Sequence, residues 1–336
     1  MRSVTIAACF VFGVFVQSAA PCHSGAADNP FIGNWALTIP GGGAGWLGVV
    51  QDADGELDAS ILWGGGSVVP VSSVRIDGDT LVITRVHQKR ARGAAKPSGE
   101  TETITACRDG DVMSLSTQRE SANGKIRGKA TFSGRRIPPV PSAPDLDEVK
   151  FGEAVSLFNG KDLSGWKVMN TSAPNGWSVE DGILVNDAPQ EPGKHISYSN
   201  LRTVAEFEDF NLTLEVRVPE GGNSGVYLRG IYEVQVADTY GRGLDSHHMG
   251  GVYSRITPSV SAEKPAGQWQ TLDITLVNRH VTVILNDRKI IDNQPLLGCT
   301  GGALWSDEFR PGPIYLQGDH TSVEYRNIIL RPVIDQ

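Results

Sequence analysis

The sequence predicts an all-β protein with two β domains in tandem, and three observations support this. Short runs of alternating apolar and polar residues recur along the chain, and no amphipathic helix longer than about ten residues is evident. The 336 residues include 39 Gly, which is typical of a protein rich in turns. Four prolines fall within residues 138–144, and such a stretch forms an extended, semi-rigid spacer. We therefore expect β domains at residues 28–137 and 151–336, joined by a linker at residues 138–150.

The first 27 residues have the order of a secretory signal peptide. Arg2 precedes an apolar run from Val4 to Val16, and small residues follow up to Ala27. We expect cleavage after Ala27 and a secreted or periplasmic protein, with an uncleaved anchor as the alternative. No later apolar run reaches about 18 residues, so no further membrane span is predicted.

The pattern of residues 28–137 predicts a separate small β domain. Its runs are short and evenly spaced, and Asp54-Gly55 and Asp109-Gly110 mark hairpin turns. This pattern predicts a small barrel or sandwich of about eight strands. The opening Gly33-Asn34-Trp35 is similar to that of lipocalin-like barrels. We expect the basic segment at residues 87–96 to be a solvated loop.

Residues 151–336 predict a larger domain of two stacked antiparallel sheets. The clearest strand is at residues 211–218, where Leu212, Leu214 and Val216 alternate with polar residues. About a dozen such strands, each with one apolar face, bury those faces best in two packed sheets.

Charge is distributed unequally between the two domains. Residues 28–137 carry 13 Lys and Arg against 12 Asp and Glu, whereas residues 138–336 carry 16 against 26. A basic face is needed to bind nucleic acid, so the acidic larger domain argues against such a partner. A neutral ligand such as a sugar suits it better.

The sequence offers few metal or redox signals. Signal cleavage would leave Cys107 and Cys299, for which one disulfide and two free buried thiols both stay open. No Cys/His spacing of a zinc site is present. The pair His247-His248 near Asp245 is interpreted as an exposed loop pair, with metal binding as the alternative. No cofactor is predicted; a structural calcium ion stays open, although no EF-hand-like loop occurs.

One face of the second domain collects polar and aromatic side chains. Alternation along a strand puts Tyr227 beside Arg229, and Glu233 beside Gln235 on the next strand. A tight glycine loop that contains Asn223 precedes them, and later segments add Tyr253, Tyr315, Gln317 and His320. Sugar rings stack on aromatic groups, and sugar hydroxyls bond to planar polar groups, so this face suits a carbohydrate. An ordinary solvated sheet face would have the same pattern.

Several ordered motifs in residues 151–333 resemble the 3-keto-disaccharide hydrolase family. They include Leu157-Phe158-Asn159-Gly160 and Gly221-Gly222-Asn223-Ser224-Gly225. The complete set covers residues 157–166, 177–182, 221–229, 232–235, 264–269, 313–317 and 325–328. The resemblance implies a concanavalin A-like jelly roll with its ligand on the concave sheet. It does not cover residues 28–137.

The sequence departs from the family pattern near its end. The family often has Leu-Gln-Asp-His-Gly, whereas this chain has Leu316-Gln317-Gly318-Asp319-His320. The Asp–His pair is shifted by one residue, which leaves the orientation of His320 open.

The resemblance implies cleavage of glycosides that are already oxidised at C3 of one sugar. Removal of the C2 proton, elimination of the C1 substituent and addition of water would need a base, an enolate stabiliser and an acid. We expect Glu233 to be the base, Arg229 or His320 to stabilise the enolate, and Asp238 to orient a partner. His320 is the alternative acid for the leaving group. The substrate-binding residues would be Asn223, Tyr227, Gln235, Tyr253 and Gln317.

Two other functions stay open. A conventional glycosidase would pair Glu233 with a second acid, such as Glu215 or Asp238. A carbohydrate-binding module without turnover is the other alternative, since a fold does not decide a function. The sequence does not decide the oligomeric state.

Overall fold

The computed structural model describes residues 29–89 and 98–335. These residues form strands, turns and bends without any helix, which confirms the all-β class. None of the described residues belongs to a helix that is long and apolar enough to cross a membrane. The predicted signal peptide lies outside the described residues. The prediction of a loop at residues 87–96 was wrong at its start, because His87 to Lys89 continue a strand; residues 90–96 are not described.

The first sheet closes into an antiparallel barrel. Its nine strands are β1 (Gly33–Thr38), β2 (Ala44–Gln51), β3 (Leu57–Trp63), β4 (Val69–Pro70), β5 (Ser73–Asp77), β6 (Thr80–Lys89), β7 (Ser98–Asp109), β8 (Val112–Ser121) and β9 (Ile126–Ile137). They are bonded in the order β4-β3-β2-β1-β9-β8-β7-β6-β5. The stretch at residues 69–77 closes the ring, since β4 pairs with β3 and β5 pairs with β6. Between them, Val71 N donates to Ala59 O at 3.0 Å and Ser72 N to Thr84 O at 2.8 Å.

Residues 150–335 form the two sheets of a β-sandwich. The strands of the larger sheet are β10 (Lys150–Phe151), β11 (Val155–Ser156), β13 (Trp177–Glu180), β14 (Ile183–Asn186), β16 (Phe210–Arg217), β19 (Gln270–Val277), β20 (His280–Leu285), β21 (Arg288–Pro295) and β23 (Val323–Asp335). The smaller sheet has the order β12-β15-β22-β17-β18, with strands β12 (Trp166–Val168), β15 (Leu201–Thr203), β17 (Asn223–Leu228), β18 (Tyr232–Ala237) and β22 (Tyr315–Leu316). This is the predicted jelly-roll-type sandwich.

The two sheets bury their apolar faces against each other, and β16 shows how. Every second residue of Phe210–Arg217 is buried, and the intervening polar residues are half-buried, as the alternation predicts. In β17 and β18, by contrast, nearly all residues are buried. Their apolar side chains enter the core, so their polar side chains must lie beneath another covering on the opposite face.

The barrel and the sandwich share one hydrophobic cluster within the compact unit of residues 31–336. Trp46 on β2 belongs to this cluster, and the Arg255 guanidinium lies 4.1 Å from the centre of its ring. The proline linker is also held, because Arg279 donates to Pro138 O at 3.0 Å and to Pro139 O at 2.7 Å. The barrel is therefore packed on the sandwich, while the predicted domain boundaries stay a prediction.

The two cysteines outside the predicted signal peptide do not pair. Cys107 and Cys299 are both free, which is one of the two predicted alternatives. Only Cys299 is buried, however; Cys107 lies exposed on β7.

Candidate active site

The polar face of β17 and β18 lies in a pocket of about 290 Å³. This volume is near the lower end of the range of about 300–1,000 Å³ that is typical of small-molecule sites. The lining residues are Gly65, Gly66, Asn200, Asn223, Tyr227, Glu233, Gln235, Tyr253, Gly301, Gly302, Tyr315, Gln317, Asp319 and His320. Strands of the sandwich thus provide half of the polar side chains, loops of the sandwich provide the other half, and a barrel loop provides two glycines.

Glu233 is the buried carboxylic acid of this pocket, with 3% of its surface exposed. Its backbone is fixed, because its N–H donates to Thr300 Oγ1 at 2.9 Å and its carbonyl accepts from Tyr253 N at 3.0 Å. Burial raises the pKa of Glu233 to about 8, the Tyr227 hydroxyl opposes this rise, and the negative charge of Asp319 adds to it. A carboxyl group with a pKa near neutral pH can act as a general base or acid.

Two tyrosines lie beside this carboxyl group. The rings of Tyr227 and Tyr315 are stacked, with centroids 4.0 Å apart and planes 11° from parallel. The Tyr227 hydroxyl donates to Gly301 O at 2.7 Å. Burial raises the pKa of both phenols above their ordinary value, so they stay protonated. They therefore serve as donors and packing surfaces rather than as bases.

Asp319 and His320 form an ion pair at the edge of the pocket. His320 Nδ1 lies 2.7 Å from Asp319 Oδ1, and this hydrogen bond raises the pKa of His320 despite its partial burial. The protonated imidazole is thereby favoured. Since Asp319 holds Nδ1, the other ring nitrogen, Nε2, carries a proton that a substrate oxygen could receive.

Two amide side chains present oxygens that accept no hydrogen bond. Gln235 Oε1 and Gln317 Oε1 are both buried without a partner. The Gln235 amide nitrogen donates to His247 O at 3.1 Å and lies 3.4 Å from Asn223 Oδ1. Buried polar atoms are normally satisfied, so orphan acceptors in a pocket indicate a ligand with O–H or N–H donors. Sugar hydroxyls are such donors.

The structure brings seven of the nine predicted site residues to this pocket. They are Asn223, Tyr227, Glu233, Gln235, Tyr253, Gln317 and His320. Their catalytic and binding roles remain predictions.

Arg229 does not line the pocket, contrary to the prediction. Strand β17 ends at Leu228, and Arg229 and Gly230 both have positive φ, in a tight turn closed by Ile231 N and Leu228 O. Alternation along a strand does not apply to a residue in such a turn. The Arg229 guanidinium instead donates to Glu308 O at 2.6 Å and to Arg310 O at 2.7 Å.

The prediction for Asp238 also needs correction. Asp238 follows β18, and its Oδ2 accepts from Gly221 N at 2.9 Å, so it fixes the glycine loop from outside the pocket. Glu215, the other suggested partner acid, lies on β16 and bonds Arg326 at 2.6 Å. Neither acid is therefore placed to work with Glu233.

Sequence reasoning missed the residues that are supplied from outside the polar strands. Asn200 precedes β15 and donates to Tyr315 Oη at 3.3 Å. Gly65 and Gly66 belong to the barrel, and Gly301 and Gly302 to a loop after β21. A run of three glycines, as at residues 64–66, is typical of a turn, but nothing in the sequence indicates which residues such a turn contacts.

The histidine pair is held by other side chains and carbonyl groups. His247 bonds Asp245 Oδ1 through Nδ1 at 2.6 Å and Ser67 Oγ through Nε2 at 2.8 Å. His248 Nδ1 lies 2.6 Å from Gly243 O. Within residues 29–89 and 98–335, no three His, Cys, Asp or Glu side chains cluster as metal ligands would.

A larger depression, of about 690 Å³, lies on the barrel wall at Thr105, Ser116 and Thr131. Its lining includes hydroxyl groups but no carboxylate, imidazole or cationic side chain. It therefore lacks an acid–base pair, whereas the smaller pocket has Glu233 with the pair Asp319 and His320.

A family model matches the sandwich part of the chain. Residues 153–331 match the 3-keto-alpha-glucoside-1,2-lyase-like domain. A 3-keto-disaccharide hydrolase of Bacteroides thetaiotaomicron is 25% identical over 215 residues, which are 54% of this chain and 74% of that protein.

Solved structures of two Parabacteroides distasonis proteins, both provisionally assigned as glycosyl hydrolases, are also similar. One is 29% identical, with a TM-score of 0.43, and the match covers 58% of this chain and 93% of that one. The other is 23% identical, with a TM-score of 0.42, and the match covers 53% and 93%. The match at residues 153–331 spans more than half of the sequence, so the chain belongs to the 3-keto-alpha-glucoside-1,2-lyase-like family.

Proposed function

We propose that the protein cleaves 3-keto-glycosides or 3-keto-disaccharides by elimination followed by addition of water. The family is carbohydrate-active, and the similar protein of Bacteroides thetaiotaomicron is named a 3-keto-disaccharide hydrolase. The observation that carries the proposal is the deeply buried carboxyl group of Glu233 in the pocket, whose pKa is raised to about 8, beside two orphan amide oxygens.

A C3 ketone makes the proton on C2 acidic, and this proton is the one that Glu233 would remove. The electrons of the C–H bond pass to the C3 oxygen and form an enolate. The enolate then expels the C1 substituent, which leaves a C1=C2 double bond conjugated with the ketone. Water adds to C1 and gives one proton to His320, which has lost its own proton to the leaving oxygen, and Glu233 returns a proton to C2. The carboxyl group starts and ends the cycle ionised.

His320 is the group in the pocket that we assign to the leaving oxygen. Among the described lining residues it is the one side chain that can carry a positive charge. Its hydrogen bond with Asp319 favours the protonated form, so it has a proton to give. Arg229 lies outside the pocket and has no part in this proposal.

The remaining side chains would orient the substrate. The orphan amide oxygens of Gln235 and Gln317 accept hydrogen bonds from sugar hydroxyls. The stacked pair of Tyr227 and Tyr315 packs against a ring face or edge. Such positioning matters because a base must lie within hydrogen-bond reach of the proton that it removes.

A product assay tests the proposal. The purified protein is incubated with a 3-keto-disaccharide and, separately, with its unoxidised parent, and free sugar is followed by chromatography. We expect release from the ketone only. Release from the parent would instead indicate a conventional glycosidase. Binding without release would indicate a carbohydrate-binding module.

The same assay in D₂O tests the order of steps. Elimination and addition introduce solvent deuterium at C2 of the released keto sugar, whereas direct hydrolysis at C1 keeps the original hydrogen. Free 3-keto sugar kept in the same buffer measures the spontaneous exchange. Since Glu233 could return the same proton that it removed, substrate deuterated at C2 is also compared with unlabelled substrate. Product without deuterium above that background, together with equal rates for the two substrates, would contradict the elimination.

We further propose that the protein works outside the cytoplasm. The support is the order of charged, apolar and small residues in the first 27 positions, which lie outside the described residues. To test this, the full-length gene product is expressed and the cell fractions are separated. We expect the protein in the periplasmic or culture fraction, cleaved after Ala27.

A further inference from the structure

The loop between β3 and β4 is the part of the barrel that lines the candidate site. This barrel loop, residues 64–68, is fixed to the sandwich by three hydrogen bonds. Gly302 N donates to Gly64 O at 3.2 Å, and Val68 N donates to Ser254 Oγ at 2.9 Å. The third joins Ser67 Oγ to His247 Nε2 at 2.8 Å, and His247 is itself held by Asp245.

The partners of the barrel loop belong to the segments that build the pocket. Gly302 lines the pocket, and the carbonyl of His247 accepts from the Gln235 amide. The backbones of Gly66 and Gly301 are in direct contact, since a Cβ on Gly301 would lie 2.0 Å from Gly66 O. The barrel loop is therefore a wall of the pocket whose position is fixed relative to Gln235.

The backbone conformation favours glycine at positions 64 and 66 but not at position 65. Gly64 and Gly66 both have φ of +79°, a conformation that L side chains rarely adopt. Gly65 does not have a positive φ, and a Cβ there would meet no atom within 4 Å. Neither the backbone nor the packing requires glycine at this position, although the residue lines the pocket.

We infer that the barrel loop is part of the substrate pocket and that Gly65 is a specificity-determining position, where the missing side chain leaves room for the substrate. This inference rests on the proposed function. It assigns the barrel, which lies outside the family match at residues 153–331, a direct part in substrate selection.

Substitution at Gly65 tests the inference. Gly65→Ala and Gly65→Leu are compared with the wild type in kcat/KM for a 3-keto-disaccharide, and thermal unfolding checks that each variant folds. Gly128→Leu is the matched control, since Gly128 is exposed on β9, has no positive φ and also has open space around a Cβ. We expect a loss of about tenfold or more for Gly65→Leu, mainly in KM, a smaller loss for Gly65→Ala, and a change within about twofold for the control.

Two results would overturn the inference: an unchanged kcat/KM in Gly65→Leu, or an equal loss in Gly128→Leu. Failure of the proposed function appears separately, because the wild type would then release no sugar from the ketone. In that case calorimetric titration with the same disaccharide tests the loop. Equal affinity of the wild type and Gly65→Leu would overturn the inference, and weaker binding by the variant would support it. Absence of binding to the wild type would overturn both proposals.

Discussion

Gly225 leaves the space that the Glu233 carboxyl group occupies. The two residues lie on the adjacent strands β17 and β18, and a Cβ on Gly225 would be 2.2 Å from Glu233 Oε1. Gly225 does not have a positive φ, so the backbone does not require glycine here. The carboxyl group requires it, because any side chain at position 225 would displace Glu233 from its place in the pocket.

Gly225→Ala is therefore expected to impair catalysis without unfolding the protein. A displacement of about 1 Å at a reacting group can cost about 100-fold in rate, so we expect a loss of about that size in kcat for the keto-disaccharide. Steady-state kinetics and thermal unfolding measure the two effects. Gly128→Ala, at an exposed position of β9, is the control. Wild-type kcat in Gly225→Ala would show that the position of the carboxyl group is not critical.

Glu233→Gln is expected to abolish turnover and to leave binding largely intact. The amide keeps the shape of the side chain but cannot remove a proton, and loss of a general base costs about 10²–10⁴-fold in rate. Turnover assays and calorimetric titration with the keto-disaccharide separate the two effects. Glu263→Gln is a matched control, since Glu263 is half-buried and its pKa is also raised by burial, but it lies outside the pocket. Wild-type turnover in Glu233→Gln would defeat the assignment.

The activity is expected to have a bell-shaped pH profile with its maximum near or above neutral pH. The base Glu233 must be ionised, and its pKa of about 8 makes the ionised fraction rise with pH. The acid His320 must be protonated, and its pKa is raised by Asp319, so activity falls again at higher pH. Measurement of kcat/KM from about pH 4 to pH 10 covers both limbs. A maximum at about pH 5 or below would contradict the raised pKa of Glu233.

Asp319→Asn is expected to shift this profile to lower pH. The charge of Asp319 raises the pKa of both Glu233 and His320, so its removal lowers both. The maximum moves with them, and activity in alkaline buffer falls more than activity in acidic buffer. The profile of Asp245→Asn is the control, because Asp245 is paired with His247 rather than with His320. An unchanged maximum in Asp319→Asn would show that Asp319 does not set either pKa.

Glu233 is also expected to make the stability of the fold depend on pH. Its pKa rises from an ordinary value of 4.5 to about 8 on folding, so the folded state holds more protons than the unfolded state in that interval. Stability therefore falls as pH increases from about 4.5 to 8, by an amount on the order of 4 kcal/mol from this group.

Glu233→Gln lacks this loss, so its stability relative to the wild type should increase with pH. Urea unfolding at about pH 5 and pH 8.5 measures the difference. Glu308 is buried with a raised pKa and contributes in the same direction, but it is present in both proteins and cancels in the comparison. A constant difference between the two proteins would contradict the raised pKa of Glu233.

Strand alternation predicted the side of the sheet correctly for residues within a strand and failed where a strand ended. Tyr227, Glu233 and Gln235 lie inside β17 and β18, and all three line the pocket as predicted. Arg229 is one residue beyond the end of β17, in a turn with positive φ. A strand of six residues gives no sequence signal that separates its last residue from the turn, because Gly230 is compatible with either boundary.

The sequence by itself determined the all-β class, the sandwich with its alternating strands, and most of the polar face around Glu233. These features follow from the chemistry of residues near one another along the chain, since a period of two fixes which side chains share a face. The tertiary structure alone decided that Gly65 and Gly66 of the barrel form a wall of the pocket, that Asp319 lies close enough to raise the pKa of Glu233, and that Arg229 points elsewhere. Those contacts join residues far apart in sequence. The packing of the barrel on the sandwich brings Gly65 and Gly66 to the pocket, and the folding of the sandwich itself places Asp319 near Glu233 and Arg229 against Glu308.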